Sequence, residues 1–112
     1  MIRYLGNNEF SPSYEEAKVA VLPVPYEATV SYGKGTGMGP DAILDASTQV
    51  ELYDEQTGCE PYRIGVATLP HLDLSGIDHE KIGDVITPAL SKILADGKWP
   101  LVLGGEHSIT PP

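Results

Sequence analysis

The residues best suited to chemistry stand where an apolar run stops at two glycines and then offers an imidazole: Trp99-Pro100-Leu101-Val102-Leu103-Gly104-Gly105-Glu106-His107-Ser108-Ile109-Thr110. A parallel strand that ends at the carboxyl edge of a sheet delivers a ligand in this way. Without a Cβ, Gly104 and Gly105 let the chain turn sharply and approach closely whatever the imidazole reaches. His107 is the leading candidate. On the residues alone it is either a loop histidine hydrogen-bonded at a strand end or a metal ligand, and one histidine is weak evidence for a metal site. Neighbours in extended chain point to opposite sides, so Glu106 faces away from whatever His107 faces and reads as structural. Ser108 has no partner base in sequence and reads as a hydroxyl that holds the loop.

Other groups invite weaker readings. His71, Asp73 and His79 follow an apolar run and could be imagined as a second metal cluster, although solvated surface groups are the ordinary outcome there. Cys59, between Gly58 and Glu60, has no activating base nearby. The stretch Gly37-Met38-Gly39-Pro40-Asp41-Ala42 fits the loose dinucleotide pattern G-x-G-x-x-A and opens a helix. A nucleotide-binding module built on the loop from Gly33 to Gly39 is therefore a rival function. Against it, the glycines come well after Val24 and Pro40 removes an amide that such a cradle would use. Gly33-Lys34 also lacks the earlier glycine of a Walker loop.

The stretch Gly104-Gly105-Glu106-His107-Ser108-Ile109-Thr110 resembles the Gly-Gly-x-His-Ser motif of the ureohydrolases, the arginase and agmatinase family. A second match lies in Pro25-Tyr26-Glu27-Ala28-Thr29-Val30-Ser31-Tyr32, followed by Gly35-Thr36-Gly37-Met38-Gly39-Pro40-Asp41-Ala42-Ile43 and then Ala46-Ser47. Two ordered matches are far more specific than either alone, and the wording is closest to the agmatinase branch. The resemblance implies a three-layer α/β/α fold and a binuclear manganese centre to which His107 contributes one ligand. It implies that the other ligands come from Asp-x-His-x-Asp and Asp-x-Asp segments, neither of which follows His107 here. It further implies hydrolysis of a linear guanidine, such as agmatine, to an amine such as putrescine and urea. A small guanidino substrate and a homo-oligomer belong to the same expectation. Imidazole with hard carboxylates suits manganese, and two metals can activate the attacking water.

The chain departs from the family where Glu27 stands for a common Asp, Gly37 for Arg, and Leu44 for the Arg that often follows Ile43. These positions bear on substrate and subunit contacts at the rim. With Thr110-Pro111 starting a helix, the expectation is an N-terminal fragment: residues 1–18 an arm, residues 19–112 the start of the ureohydrolase domain, truncated after the first metal-ligand motif and inactive alone. A non-catalytic fragment held in an oligomer by its exposed sheet edge is a third reading.

Composition bounds the rest. A chain of 112 residues is one domain or part of one, with an ordinary 41% hydrophobic content. Seven Lys and Arg against sixteen Asp and Glu leave a formal charge of -9, which repels nucleic acid and anionic membrane surfaces. No apolar run is long enough for a membrane span, the start lacks a signal-peptide pattern, and one cysteine cannot form an internal disulfide. A reducing cytoplasm is the expected compartment.

These residues need elements to position them. Apolar runs at Val19 to Val24, Ile64 to Leu69 and Trp99 to Leu103 predict strands, the first with the pattern of a strand covered on both faces. Pro23 predicts a strand end or a sheet edge. Pro40 and Asp41 open a helix in which Ala42, Ile43, Ala46 and Val50 recur at helical spacing, ending near Leu52 to Asp54. The segment from Tyr53 to Tyr62 predicts an exposed connection or hairpin. Ser75-Gly76-Ile77-Asp78 has the form of a capping box ahead of a helix carrying Ile82, Val85, Ile86, Ala89, Leu90, Ile93 and Leu94 on one face. Pro88 predicts a kink or two shorter helices, and Gly97 a stop. Strand, helix, strand, helix, strand predicts an α/β fold, a parallel sheet with flanking helices.

Overall fold

The computed structural model describes residues 1–6, 10–27, 35–105 and 109–110. Its regular elements are β1 (Val19–Val24), α1 (Gly39–Ala46), β2 (Val66–Thr68), α2 (Gly83–Ala95) and β3 (Trp99–Gly104), with short 3-10 turns between them. The strands form one parallel sheet in the order β2-β1-β3. Val19 pairs with Val66 on one side and Trp99 on the other, and Val21 with Thr68 and Leu101. All three strands therefore end on the same edge, the edge at which the loops can gather a site.

The two faces of β1 divide by period two. Ala20, Leu22 and Val24 join Tyr26, Ile82, Ile86 and Ile93 in a cluster against α2. Val21 and Pro23 are also buried, on the opposite face, and α1 packs on β1 and β3. Both faces of the central strand are covered, which is why its sequence is an unbroken apolar run. Burial of side chains such as Leu22, Ile86 and Ile93 stabilises by about 1.5–3 kcal/mol each.

Several expectations need correction. β1 is the central strand, so Pro23 does not mark a sheet edge. It sits next to the strand's end, and its carbonyl accepts from the Leu72 amide at 3.1 Å. The missing N–H falls on that same side, past Thr68 where β2 has ended, so no ladder bond is lost. α1 stops at Ala46 and continues only as a 3-10 turn to Gln49. Its buried stripe is Pro40, Leu44 and Ser47, whereas Ile43 and Val50 are exposed.

The capping box does not form. Asp73 accepts from the Ser75 amide at 3.0 Å, and Gly76 takes a positive φ of 70° in a turn closed by Ile77 N–H to Leu74 C=O. Asp78 then precedes the 3-10 turn that leads into α2. α2 runs unbroken through Pro88. Pro88 is exposed, so the Asp84 carbonyl deprived of its partner can bind water. Leu94 lies off the buried face at 61% exposure.

The first residues dock on the domain. The Tyr4 amide donates to Thr68 Oγ1 and the buried Leu5 amide to Ser47 Oγ, both at 2.9 Å. The Tyr14 hydroxyl donates to Asp96 at 2.6 Å, and Lys98 Nζ lies 4.6 Å from the Tyr14 ring centre.

Candidate functional site

The carboxyl edge of β1 is built on close backbone contact. Beyond Val24 the chain folds back as the Tyr26 amide donates to the Val24 carbonyl at 2.8 Å. This turn drops the Tyr26 side chain into the core beneath α2. Its hydroxyl lies 3.4 Å from His79 Nδ1, and the two rings stack at 6.1 Å. β3 arrives alongside: the Gly105 amide donates to the same Val24 carbonyl at 3.3 Å. A Cβ at Gly105 would lie 2.0 Å from the Tyr26 carbonyl oxygen. Only glycine permits that approach.

The segment ahead of α1 closes the other side. A Cβ at Gly39 would meet the Gly104 carbonyl oxygen at 3.1 Å, and one at Gly37 would meet the Pro25 carbonyl at 3.2 Å and Glu27 Cβ at 3.3 Å. Glu27 Oε1 accepts from the Thr36 amide at 3.0 Å and also from the Gly35 amide. Three chain segments, 25–27, 35–39 and 104–105, thus meet at the ends of β1 and β3.

On the β2 side of this junction a cavity of about 570 Å³ opens between Tyr26, Glu27, His71, Asp73 and Ser75. His71 Nε2 lies 2.7 Å from Asp41 Oδ1, tying the loop after β2 to the first turn of α1. The hydrogen bonds from Ser75, backbone first and then side chain, hold the Asp73 carboxyl below the usual carboxylate range. Glu27 and Asp73 make this rim acidic, which favours an approaching cation.

His107, Glu106 and Ser108 lie outside the described residues, as do Gly33 and Lys34. His71, Asp73 and His79 have separate partners, Asp41, Ser75 and Tyr26. Among the described residues no three His, Cys, Asp or Glu side chains converge as a metal site. Cys59 is exposed in a turn bridged to Asp54, with Thr57 Oγ1 3.0 Å from its sulfur. The nucleotide reading loses ground because Glu27 occupies the amides of Gly35 and Thr36. That clamp has no local spacing to betray it in sequence, and neither does the pair of Asp41 with His71.

The model of the arginase family matches residues 17–112. The chain is 41% identical over 108 residues to an N(1)-aminopropylagmatine ureohydrolase of Synechocystis sp., covering 92% of this chain and 35% of that protein. It is 34% identical over 101 residues to an agmatinase of Bacillus anthracis, covering 90% of this chain and 35% of that protein. The crystal structure of agmatine ureohydrolase of Thermoplasma volcanium superposes with a TM-score of 0.84 at 33% identity, covering 98% of this chain and 36% of that one. The chain therefore spans about a third of the length of these relatives.

Proposed function

The chain belongs to the arginase family, and on that premise we propose that it forms part of a hydrolase that cleaves a linear guanidine to an amine and urea at a binuclear manganese centre. In this reading the chain contributes one metal ligand, His107. The observation that carries it is the junction at the sheet's carboxyl edge, where Gly105 is wedged against Tyr26 immediately before Glu106-His107-Ser108.

The described residues do not assemble a metal site of their own, and one imidazole cannot replace a shared set of carboxylates. In this reading the remaining ligands come from other segments, and this chain alone is expected to be inactive. Manganese would supply the activation of the attacking water. The chain's own residues do the orienting: Tyr26 and Val24 anchor the end of β3 from one side, and Gly39 backs it from the other. The acidic rim at Glu27 and Asp73 draws a guanidinium or ammonium toward the same edge. A cytoplasmic homo-oligomer completes the proposal. Among the described residues no helix is long and apolar enough to cross a membrane.

Two guanidines are in view. Agmatine, yielding putrescine, follows from the resemblance of the two motifs together to the agmatinase branch. N(1)-aminopropylagmatine is favoured by a specific observation, the 41% identity to the Synechocystis protein against 34% to the Bacillus anthracis agmatinase. The discriminating experiment grafts this chain in place of the matching third of the Synechocystis protein and measures urea from each compound. Urea from either supports the ureohydrolase reading and their kcat/KM ratio assigns the substrate. A folded, manganese-loaded graft that releases urea from neither contradicts it.

A further inference from the structure

The junction at the carboxyl edge contains a carboxyl side chain, that of Glu27, that joins two of its three segments. The turn Thr36–Met38 and the helix α1 carry no side-chain cap of their own: Gly35 and Met38 stand at the cap positions and neither provides an acceptor. The leading amides of this stretch are instead held by Glu27, which accepts from Gly35 and Thr36. Hydrogen bonds to a carboxylate are the stronger kind. The residue before Glu27, Tyr26, is the one whose backbone touches Gly105. The segment that Glu27 holds includes Gly39, which touches the Gly104 carbonyl. Gly104 and Gly105 are thus gripped from both sides by the two segments that Glu27 ties together.

We infer that Glu27 is a positioning residue: by tying segment 35–39 to segment 25–27 it fixes the Gly104-Gly105 turn from which His107 departs. The contacts of Tyr26 with Gly105 and of Gly39 with Gly104 are between backbone atoms, and close-packed groups transmit displacement. Gly37 fits the same logic, since a side chain there would press on Glu27 Cβ and Oε2, each 3.3 Å away. The functional meaning of this role rests on the ureohydrolase reading of His107, while the geometry of the turn can be measured without it.

The test is amide hydrogen exchange by NMR on the full chain, comparing the wild type with Glu27→Ala and Glu27→Gln. The reporter is the Gly105 amide, which donates to Val24, and the controls are the amides of Val21 and Leu22 in the buried strand. Glu27→Ala is expected to speed exchange at Gly105 by about tenfold while leaving the controls unchanged. Glu27→Gln keeps an acceptor oxygen and should recover part of the protection. An unchanged Gly105 rate in Glu27→Ala, with the Gly35 and Thr36 resonances shifted, would reduce Glu27 to a local cap and overturn the inference. Equal acceleration at all three amides would also overturn it, as general destabilisation. If Glu27→Ala does not fold, Glu27→Gln decides alone, and a Gly105 rate equal to wild type rejects the proposal. Because exchange is independent of catalysis, the expected exchange pattern together with a folded, manganese-loaded graft that releases no urea would sink only the enzymatic reading.

Discussion

Gly105 and Tyr26 touch backbone to backbone at the carboxyl edge of the sheet, with room for no more than a hydrogen on Gly105: a Cβ there would lie 2.0 Å from the Tyr26 carbonyl oxygen and 2.9 Å from its amide nitrogen. Tyr26 cannot retreat, because its side chain is buried beneath α2. Gly105→Ala is therefore expected to cost about 1–3 kcal/mol, the range for forced overpacking. Gly104→Ala should cost less, since the obstacle there is the side-chain end of Ile109, 2.1 Å away, which can rotate aside. Thermal unfolding followed by circular dichroism ranks the two, and an equal or reversed order would refute the contact.

The face of α2 makes a second prediction. Ile86 and Ile93 are each 1% exposed in the cluster with Leu22 and Val24, whereas Leu94 is 61% exposed. Ile86→Ala and Ile93→Ala should each destabilise by about 2–5 kcal/mol. Leu94→Ala should stay within about 0.5 kcal/mol of wild type. Urea unfolding midpoints check the contrast, and a large loss at Leu94 would mean that the helix presents a different face.

Docking of the N-terminal segment should depend on pH. The hydrogen bond from Lys92, then that from Tyr14, holds the Asp96 carboxyl below its ordinary range. The same bond to Asp96 holds the Lys92 ammonium above its own. The Asp96 contribution is therefore present above the unfolded carboxylate value and lost as pH falls through the depressed folded one. The Lys92 contribution is present below the ordinary lysine value and lost as pH rises through the raised one. All these groups are solvent-exposed, so the effect is small and weakened by salt. In Asp96→Asn the unfolding midpoint should vary less with pH at both extremes than in wild type. Identical profiles would show that the cluster contributes nothing.

How far the sequence alone reaches differs between elements. β1 is legible because a strand covered on both faces has no polar residue to interrupt it, as Val19 to Val24 shows; β2 and β3 also lie in apolar runs, but β2 is only Val66–Thr68 and β3 leaves Trp99 and Leu101 exposed. The buried stripe of α1 is not legible, since hydropathy selects Ala42, Ile43, Ala46 and Val50, while the residues that face inward are Pro40, Leu44 and Ser47. Ser47 can be buried because its hydroxyl accepts from Leu5 and donates to Leu44, and the first partner is remote in sequence. The apparent capping box at Ser75 fails for a related reason: Asp73, two residues before Ser75, captures the amide that the pattern assigns to Asp78. At the candidate site, the need for glycine at 105 is readable from the motif. Its cause, the backbone of Tyr26, is visible only in the fold.

The most direct test of the central claim, that this chain supplies a metal ligand to a ureohydrolase through His107, is made on the graft into the Synechocystis protein. Bound manganese and urea release are measured together in the graft and in its His107→Ala variant, with folding verified by circular dichroism. The variant is expected to fold, to hold less manganese than the parent graft, and to lose at least about a hundredfold in kcat, the scale on which disturbing metal coordination acts. A folded variant that keeps its manganese and its urea release would contradict that claim.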